Sequence, residues 1–262
     1  MWLAFKFVRP SLPILSGFAT WIIARACNAP FEHSVVAAFS MGLSTIGASI
    51  YHYGGANWMY TRKDERFKFK NPQIVMLVGL IFFALSIGIA GQCLPNKACM
   101  WISIGNAILI AAYSATLSAH WKTKNITMGV VCATPVLMGW QAGTMTHPIA
   151  IWAMIFALIA HLSREIIKDV NDIIANHGRR VTLPMRIGKE GALQIAGGLL
   201  VIAMLFAFGM MQFAGNIFQI LAFSFSIGLL LVTVRILLLH KKTGSCDMLI
   251  HLSVGLMIMA LL

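Results

Sequence analysis

The stretch REIIKDVNDIIANHGRRVTLP, residues 164–184, closes an apolar segment of membrane length with a run of carboxylates and bases. Charge beside a bilayer core is expensive, and where it occurs it marks a functional site. On a helix advancing about 100° per residue, Glu165, Asp169, Asp172 and Asn176 fall within roughly 60° of arc, whereas Ile166, Val170, Ile173 and Ile174 lie on the other side. One face is then oxygen-rich and the other apolar. Oxygen ligands at this spacing suit a hard cation such as Mg²⁺, which takes one or two carboxylates and fills its remaining positions with water and substrate phosphate. The natural partner of such a face is a metal-bound diphosphate. A second reading is a surface ladder of ion pairs with Arg164 and Lys168, which accounts for the charges but not for the Thr182-Leu183-Pro184 tail.

Outward from this stretch the chain is apolar. Of its 262 residues 59% are hydrophobic and 11% charged, with a mean hydropathy of +0.81, outside the range of soluble domains. An all-α, polytopic integral membrane protein is expected. Spans of about 20 residues can be drawn at 12–29, 33–53, 73–92, 98–117, 125–143, 147–168, 191–212, 217–238 and 246–262. This amounts to nine transmembrane helices in a single domain over 1–262, the second and sixth polar enough at their ends to run beyond the hydrocarbon. With the N-terminus in the cytoplasm, all but Arg25 and Lys97 of the 20 basic residues fall on the inner side, as the positive-inside rule requires. The net charge of +12 is thereby assigned to topology and anionic headgroups, and nucleic acid is excluded as a partner. An inner or plasma membrane is the expected location. The basic start and first apolar run are followed by no small-residue cleavage site, so that run is read as a retained helix.

Five cysteines, Cys27, Cys93, Cys99, Cys132 and Cys246, show no metal-binding spacing. Cys93 and Cys99 bracket the outer loop CLPNKAC and either pair there or stay as thiols. The inner loops are longer and more charged, which directs an active surface to the cytoplasm. Arg62, Lys63, Lys122, Lys124, Arg164 and Lys168 belong to these basic segments. They are read either as anion contacts or as topology determinants. Tyr51, His52 and Tyr53 are read as cavity lining or interface anchors; Phe206, Phe208, Met210 and Met211 are read as packing or lipid-facing residues.

The 164–184 stretch resembles the second aspartate-rich motif of UbiA-type intramembrane prenyltransferases, in the form found in archaeal ether-lipid geranylgeranyl transferases. Asp169 and Asp172 match, Asn176 stands at the third aspartate, and Gly178, Thr182, Leu183 and Pro184 complete the pattern. Arg9-Pro10, Tyr113-Ser114 with Leu117, and Asn125 are supporting matches. The first aspartate-rich motif is largely missing: Tyr53, Gly54, Asn57 and Thr61 occupy its four positions, and Ser118 stands where a lysine is common. A bend at Gly54-Gly55 would be needed for Asp64 to serve the ion that Asn57 serves.

The resemblance implies a nine-helix UbiA-like bundle and Mg²⁺-dependent transfer of a polyprenyl group from an allylic diphosphate to a hydrophobic lipid or aromatic acceptor. It implies Asp169 and Asp172 as catalytic metal ligands with Asn176 as a weaker neutral one. Asn57, Arg62, Lys63, Lys122, Arg164 and Lys168 are implied as substrate contacts. The alternative is a degenerate member that binds prenyl lipid or a partner protein without transfer. A transporter is disfavoured, because the charges gather at one surface rather than near the bilayer midplane.

Overall fold

Hydrocarbon admits only helices and closed barrels, and apolar runs of about 20 residues have the length of spanning helices rather than of barrel strands. The computed structural model describes residues 11–59, 71–145, 147–176, 181–240 and 243–261. Among them are nine helices of 14 residues or more: α1 Ser11–Ala26, α2 Phe31–Met59, α3 Pro72–Cys93, α4 Ala98–Ala115, α5 Trp121–Ala142, α6 Pro148–Asn171, α7 Leu183–Met211, α8 Ile217–Arg235 and α9 Cys246–Met259. They follow the nine expected spans in order. Six segments, in α2, α3, α4, α6, α7 and at Ile217–Leu239, are long and apolar enough to cross a membrane; α1 and α9 hold shorter apolar stretches. Exposed Phe208, Phe218, Phe225 and Leu239 give the surface the apolar character of an integral membrane protein.

Local chemistry sets the helix ends. Pro148 opens α6 behind His147, whose ring accepts from the Ile149 N–H at 3.2 Å. Pro is favoured here because its missing N–H lies among the donors with no intrahelical partner. The expected span beginning at 191 starts earlier, at Leu183, and is interrupted at Gly188, with φ 80° and ψ 161°. Side chains do not tolerate that region of backbone space, and glycine does.

The chain forms two compact units, Met1–Ser118 with Thr134–Thr146 and Ala119–Ala133 with His147–Leu262. In the first, α2 packs on α1, α3 and α4. A Cβ at Gly79 would stand 2.7 Å from the Tyr51 backbone nitrogen, so the α2–α3 contact depends on the missing side chain. Serines join these helices within the apolar core, Ser40 Oγ lying 3.1 Å from Ser86 Oγ and Asn106 Nδ2 donating to Ser44 Oγ at 2.7 Å. Helix α2 continues through Gly54 and Gly55 without leaving helical conformation, and Asp64 lies outside the described residues. Cys93 is exposed and Cys99 buried, with no disulfide between them.

In the second unit α6 packs on α7 and α9, and α8 on α7 and α9. Ser163 Oγ donates to the Ala196 carbonyl at 2.8 Å, and Ser226 and Ser253 hydroxyls meet at 2.7 Å. The first half of α5 belongs to this unit, and with it the residues that complete the charged cluster at the end of α6. Of the four residues read as packing or lipid-facing, Phe208 is 69% exposed and Met210 fully buried.

Candidate active site

Because the last turns of α6 are buried, the charge they carry must be compensated inside the protein. Arg164, Glu165 and Asp169 are all buried, Asp169 completely. Glu165 Oε1 accepts from Arg164 Nη1 and Lys168 Nζ, each at 3.1 Å. Its Oε2 lies 4.0 Å from Lys124 Nζ. Lys124, in the first turn of α5 and 3% exposed, donates to Asp169 Oδ1. Arg164 also turns to α9, where its Nε is 2.6 Å from Asp247 Oδ1, a charge contact without hydrogen-bond alignment. One turn further along α9, His251 Nδ1 lies 2.8 Å from the Asp247 carbonyl oxygen. Three cations, Lys124, Arg164 and Lys168, thus meet three carboxylates, Glu165, Asp169 and Asp247, drawn from three helices.

The ion-pair ladder read from the sequence is present in part, as the contacts of Arg164 and Lys168 with Glu165. Asp169 stands outside that ladder and takes its partner from α5. Its second oxygen, Oδ2, is buried with no hydrogen-bond partner among the described residues.

The oxygen-rich face expected over 165–176 is divided. Helix α6 ends at Asn171, Asp172 forms its C-cap (φ −97°, ψ 14°), and a separate turn, Ile173–Asn176, follows. Asn and Asp compete for backbone hydrogen bonds and so favour helix ends over interiors. Thr243 Oγ1 donates to Asn171 Oδ1 at this end. Glu165 and Asp169 therefore stay inside while Asp172, three residues after Asp169, is exposed. Among the described residues no three His, Cys, Asp or Glu side chains converge as a metal cage. Available for a hard cation are the unpartnered Asp169 oxygen and the exposed Asp172.

The Thr182-Leu183-Pro184 tail has a local explanation. Thr182 is the N-cap of α7 with extended backbone (φ −106°, ψ 162°), and Pro184 lies in the first turn. The Thr182 hydroxyl makes no cap bond and is fully buried without a partner among the described residues. A parallel backbone bridge joins Val181 to His120 just before α5, so the segment leading into α7 runs beside the segment leading into α5. Asn125, next to Lys124, has a buried Oδ1 likewise without a partner among the described residues.

The other expected contacts fall in different places. Lys122 is exposed, its Nζ 5.4 Å from the centroid of the Trp121 ring. Asn57 and Asn176 lie on helical backbone, but their side chains are outside the described residues, as are Arg62, Lys63 and Asp64 altogether. In the first unit His52 Nδ1 lies 3.2 Å from Ser114 Oγ, and its ring is 5.1 Å from that of Tyr113. The Tyr113-Ser114 pair is thus engaged by α2.

In the sequence Lys124 lies among the basic loop residues with nothing to pair it with Asp169, and Asp247 belongs to no motif. The chain has only eight acidic residues against 20 basic ones. That scarcity was the available signal, since each acid near the membrane is under pressure to find a cation.

Residues 70–254 match the UbiA prenyltransferase family model. A digeranylgeranylglyceryl phosphate synthase of Methanothrix thermoacetophila is 31% identical over 140 residues, 53% of this chain and 51% of that protein. The chain thus spans about half the length of this curated relative. Among solved structures, one of a digeranylgeranylglyceryl phosphate synthase superposes with a TM-score of 0.75 at 16% identity, covering 98% of this chain and 95% of the other. A UbiA homologue from Archaeoglobus fulgidus bound to GPP and Mg²⁺ superposes with a TM-score of 0.71, also at 16% identity, over 98% and 97% of the two chains. At that identity the likeness is one of fold.

Proposed function

Since this chain belongs to the UbiA prenyltransferase family, we propose that it transfers a polyprenyl group from an allylic diphosphate to a hydrophobic acceptor at the membrane, with Mg²⁺ as cofactor. The observation that carries this reading is the buried Asp169, one oxygen held by Lys124 and the other without a partner among the described residues, at the end of the apolar helix α6. A cation that accepts one or two carboxylates and otherwise keeps water and phosphate fits that single buried oxygen together with the exposed Asp172. Asp169 and Asp172 would hold the ion, with Asn176 as a neutral third. When bound, Mg²⁺ supplies charge that stabilises the departing diphosphate.

The chain's own cations do the rest at this end of α6. Lys168, at 36% side-chain exposure, is accessible to a phosphate oxygen while bonded to Glu165. Arg164, with Glu165 on one side and Asp247 on the other, fixes the carboxylate that orients Lys168. Asn57, Arg62, Lys63 and Lys122 are the further diphosphate contacts that this reading proposes. Preorganised positive charge lowers the barrier because negative charge grows on the leaving oxygen as the allylic C–O bond breaks. The acceptor hydroxyl oxygen then bonds to the allylic carbon, and its proton passes to the released diphosphate.

A lipid with a free hydroxyl is the favoured acceptor, supported by the name shared by the synthases that this chain resembles. The cytoplasmic face of an inner or plasma membrane is the proposed location of the basic loops, supported by the side on which the 20 basic residues gather. The test is diphosphate release by detergent-solubilised protein given geranylgeranyl diphosphate, Mg²⁺ and mixed membrane lipid. Asp169→Ala combined with Asp172→Ala should lower release by about 10²–10³-fold, the loss that follows removal of key electrostatic stabilisation. Metal-dependent binding of the diphosphate by the native chain without release would instead favour the degenerate binder, the reading favoured by the altered first motif.

A further inference from the structure

We propose that Lys124 makes metal loading at Asp169 conditional on diphosphate. With no substrate bound, its ammonium holds the Asp169 carboxylate, and a divalent cation reaches that carboxylate only when diphosphate oxygens draw the ammonium away. The inference rests on the prenyltransferase reading of the site.

Two observations and one property of lysine lead to it. Asp169 is completely buried and Lys124 is 3% exposed, so little solvent screens a metal at Asp169 from the ammonium. Glu165, which among the described residues also lies within reach of Lys124, already accepts from Arg164 and Lys168 and has little charge to offer an incoming cation. A bare divalent ion at Asp169 Oδ2 therefore meets one carboxylate whose charge is already matched by the Lys124 ammonium beside it. Finally, lysine carries a compact charge on a flexible four-carbon stem, so its ammonium can shift from carboxylate to phosphate while α5 stays in place. A diphosphate brings several negative charges and supplies a partner for the displaced ammonium, so its arrival reverses the balance.

Equilibrium dialysis against Mn²⁺ as the metal probe, with and without inorganic pyrophosphate, tests this on the detergent-solubilised full chain. The wild type should retain Mn²⁺ with pyrophosphate and not without it. Lys124→Gln should bind Mn²⁺ alone about tenfold or more tightly than the wild type, since the repelling charge is gone. Asp169→Asn should retain Mn²⁺ in neither condition. Equal binding of Mn²⁺ alone by the wild type and Lys124→Gln would overturn the proposal and leave the prenyltransferase reading standing. If Asp169→Asn retained Mn²⁺ with pyrophosphate as well as the wild type does, Asp169 would not be the ligand, and both the proposal and the assignment of the metal site would fall. Should Lys124→Gln not fold, the wild type decides alone: stoichiometric Mn²⁺ without pyrophosphate overturns the proposal.

Discussion

Neutralising Asp169 tests whether the buried charges at the end of α6 form one coupled set. Asp169→Asn keeps a side-chain acceptor but leaves the ammonium of Lys124, 3% exposed, without its principal counter-charge. Removing one member of a buried pair costs about 3–5 kcal/mol. Glu165 Oε2 remains 4.0 Å from Lys124, and at that separation an opposite charge contributes about 4 kcal/mol at an effective dielectric of 20. The loss for Asp169→Asn should accordingly fall near the lower bound, about 3 kcal/mol. Lys124→Met strands a fully buried carboxylate and should cost about 4 kcal/mol or more. The double variant removes both charges and should return to within about 1–2 kcal/mol of the native chain, since replacing a buried pair outright is often close to neutral. Equilibrium unfolding in mixed micelles of increasing SDS content, followed by far-UV circular dichroism, measures all four proteins. Single losses that simply add in the double variant, within the roughly 0.5 kcal/mol expected of independent sites, would refute the pairing of Lys124 with Asp169.

Two other consequences are open to direct measurement. A Cβ at Gly209 would meet the Trp152 ring, whereas one at Gly198 meets nothing within 4 Å; Gly209→Ala should lower thermal stability by about 1–3 kcal/mol through overpacking, and Gly198→Ala should be neutral or raise it by up to about 1 kcal/mol. Native protein treated with a maleimide should label rapidly at exposed Cys93 and only after denaturation at buried Cys99, and unreactive Cys93 that labels after reduction would reveal a bond between them.

The membrane character of the chain, the order of the nine long helices among the described residues and the motif over 164–184 were legible in the residues themselves. Hydropathy and the helical period act over a few neighbouring positions and need no tertiary partner. The same locality explains the misjudged features. Projected as one continuous helix, 165–176 shares a single face, but Asn171 and Asp172 end α6, burying Asp169 and leaving Asp172 in the open. Lys124 read as a loop cation because nothing nearby in the sequence reveals a partner 45 residues away. Asp247 carried no motif and acquires its place only where Arg164 reaches it from α6. Sequence alone determined the integral-membrane, all-helical character of the chain and that carboxylates follow its sixth apolar segment. Tertiary structure decided which of those charges are buried and which cation compensates each, because desolvation and ion pairing depend on distances between helices that no local pattern records.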